Sequence, residues 1–556
     1  MAIWKVAERK FDDLLDQILY NRGVISLKSN KEKASFLDPD FSGLHDPFLM
    51  NNIKEAAERI EKAHKNGEVV GVFADYDADG IPGAALLYRA LSKIGIKTHV
   101  YIPSREGGYG LSEEGIDYLR SKKCSLIVTV DLGIRNFAEA IYCKTAGIDL
   151  IITDHHTPDS EIPDALLVIN PKIKGNKYPF PDLSGAGVAY KLIEGLSRTF
   201  PKELDEKFLK WNLDLVAIST ISDVVALLGE NRILASFGLK VLKKTKNVGL
   251  KALYQVAKLD PENITAYSVG FQIAPRINAP GRMDHATKSF ELLVTKDIDE
   301  AKVLAKWLEE KNHDRQLAME ETEKEASSKI IKESLFDNKI IVVEGNWIKG
   351  VIGPVASRLV DKFMRPVLIF ALEGKSYCGS GRSIHDVDIL KLVEKSEKYL
   401  EKFGGHKGAC GLTVPKSKFE DFSVSILKTA NLRIKEEELQ KKIKIDAMVE
   451  FLDLSINLYE NIKKLEPYGM GNSKPVFQIS GVEVMEKRIV GADEKHLSIS
   501  FEKGNNKIKA IFFSGNLREE KLILHTLYDV AFSLDLDTWQ GKRELKLNII
   551  DIKLSK

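Results

Sequence analysis

A chain of 556 residues exceeds what one hydrophobic core organises, and its length suggests three or four domains. With 44% hydrophobic and 29% charged residues the composition is that of a water-soluble globular protein, and no apolar run approaches the roughly 18 residues of a membrane span. A net charge of +2 neither demands nor excludes a nucleic-acid partner, because a local basic groove suffices for binding.

The four cysteines, Cys124, Cys143, Cys378 and Cys410, are scattered without metal-type spacing, as expected of thiols in a reducing cytoplasm. The stretch Met1 to Glu8 lacks the basic-then-apolar pattern of a secretory signal. Residues 1–67 read as a lead-in with helical pieces at Phe11 to Ile18 and Asn52 to His64, joined by a turn-rich connector.

From Val69 to about Val225 strands and helices alternate, which predicts an α/β domain, spanning residues 68–294, on a mostly parallel sheet. Val69 to Ala74 is a buried strand, followed by Asp75-Tyr76-Asp77-Ala78-Asp79-Gly80 and a helix through Ala84 to Leu91. Further strands are expected at Ile96 to Pro103, Ser125 to Val130, Asp149 to Thr153 and Ala165 to Ile169. Helices are expected at Ser112 to Leu119, Asn136 to Ala146 and Leu213 to Ile221. Three strands end in residues that can bind metal: Asp75/Asp77/Asp79, Asp131, and Asp154/His155/His156. Parallel strands bring such ends to one edge of the sheet, where α/β folds bind ligands. Crowded carboxylates raise one another's pKa, and a hard divalent cation relieves the conflict. Asp75 to Gly80 alone could equally be an acidic turn; the other strand ends favour a metal site. Asp223, after the helix, could add a carboxylate or simply terminate it.

Residues 295–335 are charged and lack Gly and Pro, predicting one or two long connecting helices, including Ala301 to Lys311 and Arg315 to Lys329. Residues 336–435 form a second, smaller α/β segment with strands at Lys339 to Val343 and Pro366 to Ala371 around a helix at Val351 to Phe363. Its glycine-rich pieces, Gly379-Ser380-Gly381-Arg382-Ser383 and Gly404 to Gly411, read either as phosphate cradles or as tight turns. Residues 445–556 contain five short alternating strands, at Val476 to Val484, His496 to Phe501, Lys507 to Phe513, Tyr528 to Leu534 and Glu544 to Ile552. That pattern predicts a small β-barrel, an OB-fold of the kind that binds single-stranded nucleic acid.

Together these motifs resemble the DHH phosphoesterase superfamily and, within it, the RecJ exonucleases. The resemblance rests on Asp75 to Gly80, Thr129-Val130-Asp131-Leu132-Gly133, Asp154-His155-His156 and Ser222-Asp223. Gly108-Tyr109-Gly110-Leu111-Ser112, Pro275-Arg276-Ile277-Asn278-Ala279, Gly281-Arg282-Met283 and the Gly379 to Ser383 piece add to it. Gly404-Gly405-His406 is similar to the glycine motif of the DHH-associated (DHHA1) domain, and Pro467-Tyr468-Gly469-Met470-Gly471-Asn472 resembles the lead into a RecJ OB domain. One position departs: Trp347 is followed by Ile348 where the family usually has His.

The resemblance implies 5′→3′ hydrolysis of single-stranded DNA to mononucleotides by two-metal-ion catalysis, in DNA recombination and repair. It implies two divalent ions, Mn²⁺ or Mg²⁺, held by Asp75, Asp77, Asp79, Asp131, His155 and Asp223, with Asp131 bridging. His156 would act as phosphate contact or general acid, with Asp154 orienting. Arg276, Asn278, Arg282, Ser380, Arg382, Gly404, Gly405 and His406 would hold the substrate. Expected partners are single-stranded DNA, a single-strand-binding protein and a helicase, for a monomer working in the cytoplasm away from membranes. Two other readings are a DHH phosphodiesterase acting on cyclic dinucleotides or short oligonucleotides, and a non-catalytic DNA-binding scaffold; the filled acidic set and the barrel speak against both.

Overall fold

A computed structural model describes residues 2–103, 110–283, 285–491, 493–537 and 543–555. Gly108 and Tyr109 of the glycine-tyrosine motif lie outside them. The chain forms two compact units, one of Trp4–Asn278, His285–Lys306 and Ile443–Lys556, the other of Met1–Ile3, Ala279–Asp284 and Trp307–Lys442. Among the described residues no helix is long and apolar enough to cross a membrane.

The larger unit contains the expected parallel sheet. Its strands run in the order Thr98–Tyr101, Val69–Ala74, Cys124–Val130, Asp149–Thr153, Leu167–Ile169, every pair parallel. Their near-continuous apolar sequence follows from burial on both faces. Helices Gly80–Lys93, Gly185–Thr199 and Leu213–Ser222 pack on one another beside the sheet. The last of these is buried from Leu213 to Thr220, a core helix with no polar face.

The barrel forms as anticipated. Strands Phe477–Val490, His496–Lys503, Asn506–Phe512, Glu544–Leu554 and Leu527–Asp537 follow one another, and the first pairs with the last, closing the ring, with the short strand Ala447–Met448 added beside the first. The first part of the lead-in belongs with this barrel, since Ile18, Leu19, Ile25 and Phe36 share one buried core with Phe477, Phe501 and Phe532, whereas helix Ile53–Asn66 packs on helix Gly185–Thr199. Buried Arg232, on helix Gly229–Lys243, locks the arrangement by donating to the carbonyls of Phe36, Lys464, Leu465 and Glu466.

The connector is a single helix, Ile298–Lys332, 35 residues or about 52 Å long. In the smaller unit a five-stranded sheet runs Lys402–His406, Ala409–Pro415, Ser376–Arg382, Val367–Glu373, Ile341–Gly345. The glycine-rich pieces are strands of this sheet, and Gly404 to Gly411 also holds the tight two-residue turn, Lys407-Gly408, that joins Lys402–His406 to Ala409–Pro415. A Cβ on Gly379 would lie 2.3 Å from Phe370, and one on Gly381 would lie 2.5 Å from the Cys410 sulfur, so these glycines admit core side chains from neighbouring strands.

Candidate metal centre

The strand ends build the site. Each sheet ladder continues one residue past its strand: Asp75 N–H donates to Val130 O, Asp131 N–H to Thr153 O and Asp154 N–H to Ile169 O, at 3.0–3.3 Å. The backbones of three acidic residues are thereby pinned along one edge. The loop Asp75–Gly80 is held further by its own carboxylates. Asp75 Oδ1 accepts from Tyr76 N, and Asp77 Oδ1 accepts from Asp79 N and Gly80 N where helix Gly80–Lys93 begins. The Ala78 peptide is gripped from both sides, its N–H by Asn278 Oδ1 (2.7 Å) and its carbonyl by Ser222 Oγ (2.9 Å).

Asp79 is buried against the start of helix Gly185–Thr199. It accepts from Gly185 N (2.7 Å), Ala186 N (2.8 Å) and Ser219 Oγ (2.5 Å), taking advantage of the positive end of that helix. Asp131 adopts a left-handed backbone with φ of 65°, and Gly185 passes so close that a Cβ there would lie 2.5 Å from the Asp131 side chain. Helix Leu213–Ser222 ends at Asp223, which is followed by Val224 with φ of 59°.

These carboxylates converge on His155. Its Nδ1 lies 2.9 Å from Leu183 O, which can only accept, so the Nδ1 proton points there. Burial lowers the His155 pKa, which favours the neutral ring. Among the described residues its buried Nε2 has no hydrogen-bond partner, and it faces Asp131 Oδ1 at 3.2 Å, Asp79 Oδ2 at 3.6 Å and Asp223 Oδ2 at 3.6 Å. A lone pair aimed at three carboxylates is repulsive unless a cation or a proton sits among them. Burial, then repulsion from neighbouring carboxylates, raises the pKa of Asp75 and Asp131 and pushes Asp223 up to about 9.

Three ligand groupings have donor atoms within 4.8 Å of one another: Asp75/Asp77/Asp131, Asp79/His155/Asp223 and Asp131/His155/His156. Asp131 and His155 each occur twice, so the donor set suits two adjacent cations better than one, and mixed oxygen and imidazole donors suit Mn²⁺ as well as Mg²⁺.

Asp154 has a different task. Its Oδ1 accepts from His155 N and His156 N and sits 2.7 Å from His156 Nδ1, while Oδ2 accepts from Ile134 N at 2.9 Å. Burial pulls the His156 pKa down, but its hydrogen bond to Asp154 and the surrounding negative charge outweigh that, and the net shift is upward. His156 is therefore a half-exposed, readily protonated group beside the acidic cluster.

Of the other residues read from the sequence, Asn278 spends its carbonyl oxygen on the Ala78 peptide, bracing the loop, and Arg276 Nη1 donates to Gln272 O. In the smaller unit, Arg282 donates to Gly350 O at the start of helix Lys349–Phe363. The sheet register puts His406, Ala409 and Arg382 in one row, and Gly404, Gly411 and Ser380 two rows along, on the same face. Gly404 and Gly411 are exposed with nothing near a Cβ position, so the face is a bare strip flanked by Ser380, Arg382 and His406. Gly405 lies between, against the Ala409 carbonyl. Ile348 is half exposed, and Trp347 donates to Glu325. The sequence reading missed Gly185 and Ser219, although Ser184-Gly185-Ala186-Gly187 carries the signature of a capped helix start.

Family models match three stretches: the DHH family, N-terminal domain over residues 69–220, the DHHA1 domain over 337–435 and the RecJ OB domain over 445–551. The chain is 32% identical to the single-stranded-DNA-specific exonuclease RecJ of Bacillus subtilis, over 98% of this chain and 68% of that one. It is 31% identical to RecJ of Escherichia coli, over 97% and 95%. The crystal structure of RecJ in complex with Mn²⁺ from Thermus thermophilus superposes with a TM-score of 0.83 at 28% identity, covering 100% of this chain and 80% of that one.

Proposed function

The chain belongs to the RecJ family, and from that premise we propose that it is a single-stranded-DNA-specific exonuclease, hydrolysing phosphodiester bonds from the 5′ end and releasing mononucleotides. The observation that carries this reading is His155 Nε2, buried and facing three carboxylates in an arrangement that fits cations.

Asp75, Asp77, Asp79, Asp131, His155 and Asp223 would hold two divalent cations, Mn²⁺ or Mg²⁺. Bound there, these ions supply Lewis-acid activation of water and neutralise charge on the scissile phosphate. The protein's own part is positional. Asp131 presents its carboxylate to two of the three ligand groupings, and Gly185 N–H and Ala186 N–H fix Asp79. His156, held by Asp154, whose hydrogen bond and charge raise the imidazole pKa, donates to the scissile phosphate and to the departing 3′ oxygen. Ser380, Arg382 and His406 line a bare strip suited to backbone phosphates, and Arg276 and Arg282 add positive charge. The barrel supplies a surface for the strand that follows, which a cyclic dinucleotide would not need. On this reading the protein works in the cytoplasm as a monomer, in recombination and repair, on strands that a helicase exposes and a single-strand-binding protein covers.

The test is Asp131→Ala, assayed for nucleotide release from end-labelled single strands in Mn²⁺ and in Mg²⁺, and for DNA binding. Hydrolysis is expected to vanish with binding largely retained; digestion at the wild-type rate would remove the two-cation assignment. The same assay with di- to pentanucleotides and cyclic dinucleotides separates the strand-degrading reading from its relatives.

A further inference from the structure

One surface feature has no part in the chemistry above. Tyr267 and Phe271 are the only Phe, Tyr or Trp side chains among the described residues that are more than 60% exposed, at 65% and 68%. Their rings stack on each other, centroids 4.7 Å apart and planes inclined by 26°. Tyr267 lies in the short helix Ala266–Ser268 and Phe271 in the π-helical turn Val269–Ile273, which runs without a break into helix Ala274–Met283. π-turns concentrate at functional sites because they cost stability and re-aim side chains.

The position of the pair relative to the metal centre is set by two contacts. Asn278, on the same run of helix, accepts the Ala78 N–H between Asp77 and Asp79. The π-turn also packs against helix Leu213–Ser222, which ends at Asp223. Tyr267, Phe271, Pro275 and Asn278 are spaced four, four and three residues apart, one face of a helix, and all four are at least partly exposed. At helical rise, Phe271 stands about 10 Å and Tyr267 about 16 Å along that face from the residue that touches the carboxylate loop.

We propose that Tyr267 and Phe271 form a base-stacking platform that seats unpaired nucleobases of the substrate within a few nucleotides of the scissile bond. The inference deepens the exonuclease reading and rests on it. A flat aromatic face exposed to water offers every base the same π-contact whatever its sequence, and only an unpaired base can reach it. The platform therefore favours single strands without selecting sequence, and it sets the reading frame in which successive phosphates meet the metal centre.

The experiment uses wild-type protein, the Tyr267→Ala/Phe271→Ala double variant and the Tyr267→Trp/Phe271→Trp variant. Substrates are single-stranded oligonucleotides carrying one abasic residue, moved stepwise across the first eight positions. Wild-type kcat/KM is expected to drop by about 5- to 150-fold when the abasic residue reaches the platform and to recover on either side. The double alanine variant should lose a similar factor on intact DNA, mostly in KM, and show no positional dip; tryptophan should restore both. A flat wild-type profile, or an unchanged dip in the alanine variant, would overturn the proposal. An i,i+4 aromatic pair also braces its helix. If that were its sole role, alanine would lower the melting temperature and leave the positional profile intact, which again overturns the proposal. Digestion of intact strands by the wild-type protein tests the exonuclease reading separately, and quenching of 2-aminopurine placed at the dip reports stacking without turnover.

Discussion

Gly185→Ala is the sharpest probe of the metal centre, because it adds one methyl group and removes no functional atom. The new Cβ would lie 2.5 Å from Asp131 Cβ and Oδ1 and 2.6 Å from its Cγ. Carbon atoms in contact prefer roughly 3.5–4.0 Å, so either Asp131 or the start of helix Gly185–Thr199 must give way by about 1 Å. Both escapes are harmful. Moving Asp131 displaces the carboxylate shared by two ligand groupings, and moving the helix withdraws the Gly185 and Ala186 N–H groups from Asp79. A displacement of 1 Å in a catalytic constellation costs about 10²-fold in rate. Alanine is a better helix former than glycine by up to about 1 kcal/mol, so the fold itself should not suffer by that route. Gly187→Ala is the matched control, since a Cβ there meets Ser184 Oγ at 3.3 Å and Leu183 Cβ at 3.4 Å, contacts that small shifts relieve. Steady-state nuclease kinetics with a Mn²⁺ titration should show Gly185→Ala about 10²-fold slower and weaker in metal, with Gly187→Ala near wild type. Wild-type kinetics and metal affinity in Gly185→Ala would refute the assignment of Asp131.

Two further outcomes follow from the electrostatics. Asp154→Asn removes the carboxylate that holds the His156 pKa up, so the alkaline limb of the kcat–pH profile should move to lower pH; an unmoved limb would remove His156 as the proton donor. In chelator-treated protein, Asp75, Asp131 and Asp223 have folded pKa values above their unfolded ones. Their contribution is fully present below about pH 4 and is lost as pH rises, for Asp223 through about pH 9. His155, lowered, acts in the opposite sense, but it is one group against three. The gap in Tm between metal-saturated and chelator-treated protein should therefore widen from pH 5 to pH 8, and a constant gap in thermal scans would contradict the shared-cation site.

What was legible in the sequence was whatever is written locally. Asp149 to Thr153 is a strand with the bounds its apolar run implied, because a buried parallel strand has no polar face to blur its ends. The five barrel strands were visible through their alternation. Asp75, Asp131 and His155 could be brought together on paper because parallel strands put their carboxyl ends on one edge. Contacts between distant segments were not legible. Nothing near Ile18 or Phe36 announces that they share a core with Phe477, and nothing near Gly379 says that Phe370 will need its missing side chain. The motif at Asn278 gave no sign that its carbonyl oxygen holds Ala78, a partner 200 residues away.

That division has a physical basis that bears on the centre itself. The residues able to bind cations are chemically conspicuous, and a pattern of Asp and His at strand ends exposes them. The groups that hold them in place, Gly185 N–H, Ala186 N–H, Leu183 O, Ser219 Oγ and Ser222 Oγ, are backbone atoms and ordinary hydroxyls with no distinctive side-chain chemistry. Most come from the loop and helix after the fifth strand and from the helix that ends at Asp223, so the cluster is clamped by elements that are remote in sequence. Repulsion among Asp75, Asp79, Asp131 and Asp223 would otherwise drive the loop outward when cations are absent. Backbone donors fixed by helix and sheet hold that repulsion in check at Asp79, and the extended ladder does so at Asp75 and Asp131. The carboxylates are thus held in place by contacts within the fold itself, and cations bound among them would relieve the electrostatic load that those contacts bear.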